Sequence, residues 1–317
     1  MNRGRQSQQL STLIVEYINR YRRLGWWAQD QAKRTIRYMI DFMGNVNADS
    51  VTLADTEDFQ GYLVAEKPGG KGLAQWSANS MCKAAGSIFA WAWRHNMVDG
   101  NPFNGLKKFK VSKIVHTYKH HEIDALLGTA DELWRVRILA AVESGLRRGE
   151  IANTTWSDID FVRRVIYVQT KKDDHELGTW KWQAKNRKSR TVPMSEKLTG
   201  CLLIRQSGLL VRQEYPFLTE RRYLDLRQRI GSLPERIRIC PDENWTRPFN
   251  EIRRNAGIKK GTFHDLRRTC LTKWSYAMAP QELQALAGHS NIKTTMEYYS
   301  AIGSDYLERA RDAEAVV

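Results

Sequence analysis

Residues 162–170, Val-Arg-Arg-Val-Ile-Tyr-Val-Gln-Thr, and 189–194, Ser-Arg-Thr-Val-Pro-Met, interrupt a chain whose other apolar residues recur mostly at helical spacing. The run Val165-Ile166-Tyr167-Val168 is β-branched and aromatic, and Arg190-Thr191-Val192-Pro193 lies across a polar segment from it. The pair predicts two strands of a small antiparallel sheet. Upstream, residues 122–127, 133–142 and 148–153 follow the helical period, and downstream helical patterns resume after Ser195. Breaks fall at Pro216, Pro234, Pro241, Gly257, Gly261, Gly288 and Gly303. The sheet is expected inside a mainly α-helical domain, an α+β fold.

Ahead of that domain, four amphipathic helices are predicted. Leu10, Leu13, Ile14, Tyr17, Ile18 and Tyr21 share one helical face before Gly25, and Ala32, Ile36, Met39, Ile40 and Met43 share another before Gly44. Asp55-Thr56 with Asp58 is read as the start of a third helix carrying Phe59, Tyr62 and Leu63. Residues 77–96 form the fourth, with Met81, Ala85, Ile88, Phe89, Ala92 and Trp93 inward, and Asn101-Pro102 follows its end. Residues 105–119 carry five lysines and no acid and match neither period, as an interdomain linker would. The expected division is 1–106, an N-terminal helical domain; 107–119, a basic linker; and 120–317, a domain ending in a tail helix with Tyr306, Leu307 and Ala310.

The charge supports a polyanionic partner. The 317 residues hold 50 Lys and Arg against 35 Asp and Glu, a formal net charge of +15. The first 110 residues contain 15 basic and 9 acidic side chains and the remainder 35 and 26, so both halves are basic. A basic tail on a neutral enzyme would not distribute charge this way, and nucleic acid is the first candidate. Cys82, Cys201, Cys240 and Cys270 are scattered, without the pairing of a disulfide framework or a zinc site. With no leader-like or membrane-length apolar run, the sequence reads as a soluble cytoplasmic protein.

Four separated segments carry unusual polar residues. Glu143-Ser-Gly-Leu-Arg147-Arg-Gly-Glu150 places an arginine and a glutamate one turn apart, and Lys185-Asn-Arg-Lys-Ser-Arg190-Thr-Val-Pro puts a lysine on the turn into a strand. Thr262-Phe-His264-Asp-Leu-Arg267 sets a histidine and an arginine on one side of a helix. In Leu286-Ala-Gly288-His289-Ser290-Asn-Ile-Lys-Thr-Thr-Met-Glu-Tyr298-Tyr299, Gly288 closes one helix and His289 falls in the joint before the next. Taken singly, each segment also suits a structural ion pair, a solvated lysine or a packed tyrosine. Together they suit phosphodiester chemistry. Two guanidiniums can hold the non-bridging oxygens, lysine and histidine can move protons, and a tyrosine hydroxyl can attack, favoured as phenolate by neighbouring cations.

Across nearly the whole chain, these boxes in this order resemble the tyrosine recombinase, or phage integrase, family. Ser-Gly-Leu-Arg147-Arg-Gly-Glu150 is similar to its arginine box, His264-Asp-Leu-Arg267 to its His-x-x-Arg box, Ala-Gly288-His289-Ser to its Gly-His box and Thr294-Thr-Met-Glu-Tyr298 to its tyrosine box. The resemblance implies a core-binding domain and a catalytic domain closing as a C-shaped clamp on double-stranded DNA. It implies that Tyr298 forms a 3′-phosphotyrosyl link, that Arg147 and Arg267 clamp the phosphate, and that Lys185 protonates the 5′-oxygen. His264 would assist proton transfer, His289 would hydrogen-bond the phosphate, and Glu150 would support the arginines or a histidine. No metal, ATP or other cofactor is implied.

Four protomers would synapse two duplexes, with an accessory DNA-bending protein as a further partner and the nucleoid as the place of action. Lys107, Lys108, Lys110, Lys113, Arg148 and Arg268 are the candidate DNA-backbone contacts. Two departures from the family pattern stand out. The segment 170–184 is longer than the usual hairpin, leaving Lys171, Lys172 and Lys188 as rivals of Lys185, and Tyr299 adjoins Tyr298. The short stretch before Leu10 suggests a simpler integrase without an arm-binding domain. A type IB-like topoisomerase and a DNA-binding regulator that keeps the fold are the alternative functions.

Overall fold

Trp26–Met43 (α2) buries Ile36 and Met39 against three other helices, Leu10–Arg20 (α1), Leu53–Val64 (α3) and Gln75–Arg94 (α4). The computed structural model describes residues 8–20, 26–111, 116–184, 189–208, 213–230, 240–242 and 244–300. The chain divides into two units, Met1–Lys113 and Ile114–Val317. In the first, Leu10, Leu13, Phe59, Leu63, Ile88 and Phe89 complete the core. Burial of such side chains stabilises by roughly 1.5–3 kcal/mol each.

Two local readings differ from the sequence expectation. α3 starts at a reciprocal cap of Thr52 and Asp55, in which the Asp55 carboxylate accepts from the Thr52 backbone N–H at 2.8 Å. Trp93 is 52% exposed, whereas Trp91 is buried. The Trp91 ring meets Tyr17 of α1 edge-on at 5.3 Å, so α1 covers that flank of α4 and leaves the other open.

The basic segment is held at both ends. Asn79 exchanges two 3.0 Å hydrogen bonds with the Phe109 backbone, and Gln60 donates to the Lys107 carbonyl. At the far end, Tyr118 is buried, its N–H donating to Thr269 Oγ1 and its hydroxyl to the Thr262 carbonyl.

The second unit contains α5 (His120–Thr129), α6 (Glu132–Ser144), α7 (Arg148–Asn153), α8 (Glu196–Ser207), α9 (Glu220–Arg227) and α10 (Thr246–Asn255). It continues with α11 (Phe263–Ser275), α12 (Pro280–Ala287) and α13 (Ile292–Ser300). α6 is apolar nearly all round, with Val136, Ile138, Leu139, Ala140 and Ala141 buried, and α11 packs against it as the centre of the domain. β1 (Ile159–Asp160), β2 (Val165–Val168) and β3 (Arg190–Pro193) form an antiparallel sheet in that order, with Val168 opposite Arg190. The fold is mainly helical with a small antiparallel sheet, as the sequence indicates.

The long segment between β2 and β3 continues the pairing through bridges Lys171–Trp182 and Asp174–Thr179. It is pinned by Trp180, which is fully buried, stacks on Tyr215 at 3.8 Å and donates from its indole to Asn153.

Candidate active site

Two helix ends build the site. α6 stops at Gly145 (φ 60°) and α12 at Gly288 (φ 63°), both left-handed caps that favour glycine. A Cβ on Gly288 would also lie 3.1 Å from Arg190 Nη1 and 3.3 Å from Arg147 Nη1, so glycine leaves room for two guanidiniums. Three successive carbonyls at the end of α12 then take one arginine each. Leu286 accepts from Arg190 Nε at 2.7 Å, Ala287 from Arg267 Nη2 at 2.7 Å and Gly288 from Arg147 Nη2 at 2.8 Å. These carbonyls have no partner within the helix and carry its negative dipole end, which explains why cations gather there. Arg267 also donates from Nη1 to the Gly145 carbonyl, joining the ends of α6 and α12.

Glu150 is the buried carboxylate among these cations. Its Oε1 accepts from Arg147 Nη1 at 2.9 Å and Arg190 Nη1 at 2.8 Å; its Oε2 accepts from the Arg147 backbone N–H at 2.8 Å and Arg190 Nη2 at 2.6 Å. Burial opposes the charge, but Arg190 first, then Arg147 and Arg267, overcome it and hold the carboxyl at about 2. This Glu150 support of the arginines is one of the two roles the sequence offered.

His289 sits in the joint after α12. Because arginine cannot accept a hydrogen bond, Arg267 Nη2 donates to His289 Nε2 at 3.3 Å, which makes Nδ1–H the donor to Thr295 Oγ1 at 3.0 Å. The His289 ring lies nearly parallel to that of Tyr298, centroids 5.9 Å apart. Tyr298 is 7% exposed, and Arg267, Arg268 and Arg147 act on its hydroxyl. Burial outweighs these cations and raises its pKa, so the resting group is the phenol and not the phenolate that the basic surroundings suggested. The neighbouring Tyr299 is spent elsewhere, its hydroxyl donating to the Met278 carbonyl at 2.6 Å.

His264 opens α11 on its exposed side, above Arg267 on the same helix. The structure thus brings Arg147, Glu150, Arg267, His289 and Tyr298 into one cluster with His264 at its rim. Lys185, Lys188 and Lys113, and the tail helix expected after residue 303, lie outside the described residues. Lys171, one of the rivals of Lys185, is engaged with Asp158 at 2.5 Å and lies over the Trp182 ring.

Among the candidate DNA contacts, Lys107, Lys108 and Lys110 are exposed. Arg148 pairs with Asp242 and Arg268 with Asp265, each at 2.7 Å. Sequence reading passed over Arg190 and Thr295. Arg190 was detectable, since strand alternation sets it on the face of buried Val192, an unusual place for an arginine.

His289 gives a measurable pH effect. Loss of water and then the Arg267 charge push it down to about 4 from 6.5. An unfolded chain therefore takes up protons first as pH falls, and stability present above pH 6.5 is lost as pH drops toward 4. Urea unfolding at pH 7 and pH 5 is expected to show a lower midpoint at pH 5, with a smaller drop in a His289→Asn variant. Equal midpoints would contradict the assigned neutral state.

Residues 106–302 match the model of the phage integrase family. The chain belongs to that family. Among curated relatives of this integrase-family chain, a tyrosine recombinase XerC-like protein of Caldanaerobacter subterraneus is 26% identical over 205 residues, covering 61% of this chain and 49% of the relative. Tyrosine recombinase XerC 2 of Ralstonia nicotianae is 28% identical over 279 residues, covering 83% and 72%. The integrase-family chain thus spans from about half to under three quarters of these relatives' length.

Of solved structures, the Tn1549 transposon integrase in complex with transposon right end DNA shares the fold at TM-score 0.73 and 20% identity, covering 97% of this chain and all of that one. A lambda integrase tetramer bound to a Holliday junction gives 0.69 at 15% identity, covering 92% and 78%. Among the described residues, no group of three or more His, Cys, Asp or Glu could hold a metal, and no helix is long and apolar enough to cross a membrane.

Proposed function

We propose that this chain is a site-specific DNA recombinase that cleaves and rejoins strands for the integration and excision of a mobile element. The observation that carries this reading is the gathering of Arg147, Arg267, His289 and Tyr298 in one cluster. Arg147 and Arg267 bind the non-bridging oxygens of the scissile phosphate and offset the charge gained at phosphorus. The Tyr298 oxygen bonds to phosphorus, the bond to the 5′-oxygen breaks, and a 3′-phosphotyrosyl link is left.

His264, neutral and open to solvent, takes the phenolic proton, and Lys185 gives a proton to the departing 5′-oxygen. For His289 to donate to the phosphate its Nε2 must carry a proton, a change that the phosphate's negative charge favours. A partner strand's 5′-hydroxyl reverses the steps and reseals the DNA. The ester energy stays in the phosphotyrosine, so neither ATP nor a divalent metal is needed.

The partner is double-stranded DNA carrying recombination sites. Residues 1–106 grip it as the core-binding domain, the linker 107–119 lays Lys107, Lys108, Lys110 and Lys113 along phosphates, and Arg148 and Arg268 add backbone contacts once released from their carboxylates. Four protomers act on two synapsed duplexes, with an accessory DNA-bending protein as an additional partner, at the nucleoid in the cytoplasm. A plasmid with two copies of the DNA flanking the gene is expected to recombine in EDTA without nucleotide, while a plasmid lacking it stays supercoiled. Efficient relaxation of the site-free plasmid would mark a topoisomerase instead, and binding without strand cutting would mark a regulator.

A further inference from the structure

Arg190 takes part in none of these steps, yet all three of its guanidinium nitrogens are engaged. Its side chain is 9% exposed, at the start of β3. The two Nη atoms fork onto both oxygens of Glu150 at 2.8 and 2.6 Å, and Nε donates to the Leu286 carbonyl at 2.7 Å. We propose that Arg190 is a positioning residue for strand cleavage, fixing Glu150 so that Glu150 aims Arg147 at the scissile phosphate without consuming its donors. The inference rests on the role given above to Arg147.

The argument is one of competition for hydrogen bonds. A carboxylate beside a lone arginine forms a two-bond fork with it. Here the fork on Glu150 is occupied by Arg190, so Arg147 makes a single side-chain bond to Glu150 and one to the Gly288 carbonyl. The remaining donors of a five-donor guanidinium stay free for phosphate oxygens. Without Arg190, Glu150 can rotate to fork with Arg147 itself, drawing the guanidinium away from the substrate. The Leu286 contact adds a second restraint, tying β3 to the helix end that precedes His289. Arg190 is also the leading influence keeping Glu150 ionised, and Arg147 and Arg267 are the other cations acting on that carboxylate.

The test is single-turnover formation of the covalent adduct on a nicked duplex carrying the DNA that flanks the gene, with DNA affinity and the unfolding midpoint measured on the same preparations. Arg190→Met is expected to slow adduct formation about 100-fold, the loss typical of a displaced catalytic group, with DNA affinity changed by less than about 3-fold. In a Glu150→Gln background the same substitution is expected to cost less than about 3-fold more, because the residue it acts through is already disabled.

Arg190→Lys, which keeps the charge but not the fork, is expected to fold and to fall between wild type and Arg190→Met. Multiplying losses in the double variant, an unaffected rate in Arg190→Met, or failure of Arg190→Lys to fold would each overturn the proposal. Tyr298→Phe serves as the control. If it still forms adducts, the reading of the whole site fails; if it is inactive while Arg190→Met cleaves normally, only the positioning role fails.

Discussion

Tyr298→Phe is expected to remove covalent protein–DNA adducts to below detection while DNA affinity stays within about 2-fold, because the lost oxygen is the atom that bonds to phosphorus. The same ring without its oxygen keeps the packing against His289 and the buried surface of α13. Tyr299→Phe is expected to keep adduct formation, since the hydroxyl it loses is bound to the Met278 carbonyl, a cost of about 1 kcal/mol in stability. Gel mobility of denatured complexes after incubation with a nicked duplex separates the two. Adducts surviving in Tyr298→Phe and lost in Tyr299→Phe would exchange the assignments.

Arg267→Gln carries the other large effect. This guanidinium is almost fully buried, joins the Gly145 and Ala287 carbonyls, and meets His289. Its removal deletes a charge from the phosphate site and leaves helix-end carbonyls unpaired. Adduct formation is expected to fall about 1000-fold, the upper range for losing one pre-placed donor to a transition state. Stability is expected to drop by roughly 2–4 kcal/mol from the unpaired acceptors. Arg267→Lys tells the two apart: it restores charge but cannot span both carbonyls, so a partial recovery of rate at comparable stability marks the electrostatic part. A variant that regains full rate with lysine would show that bridging the helix ends is unimportant for cleavage.

Much of this arrangement was legible in the residues themselves. The cap that ends α12 was visible as Gly288 closing a helical pattern, and the sheet as short β-branched runs, whereas the matching cap at Gly145 was not read. The spacing His264 to Arg267 placed both on one side of α11 because a helix repeats every 3.6 residues. What spacing could not supply was long-range pairing. That three arginines from α11, β3 and the turn before α7 would share the terminal carbonyls of α12 depends on tertiary packing, as does the division of Glu150 between Arg147 and Arg190. The protonation of Tyr298 was likewise hidden, because nearby cations and burial pull in opposite directions and only the folded chain reveals which prevails. Trp180 gave no local sign that it would anchor the long segment, since its partners Tyr215 and Asn153 lie far away in sequence.

The most direct measurement is to trap the protein on a nicked duplex from the flanking DNA, digest the complex and locate the nucleotide-bearing residue by tandem mass spectrometry. A 3′-linked nucleotide on Tyr298 is the predicted result. Attachment at Tyr299, at a serine, or through a 5′-phosphate would contradict the assignment of Tyr298 as the attacking group.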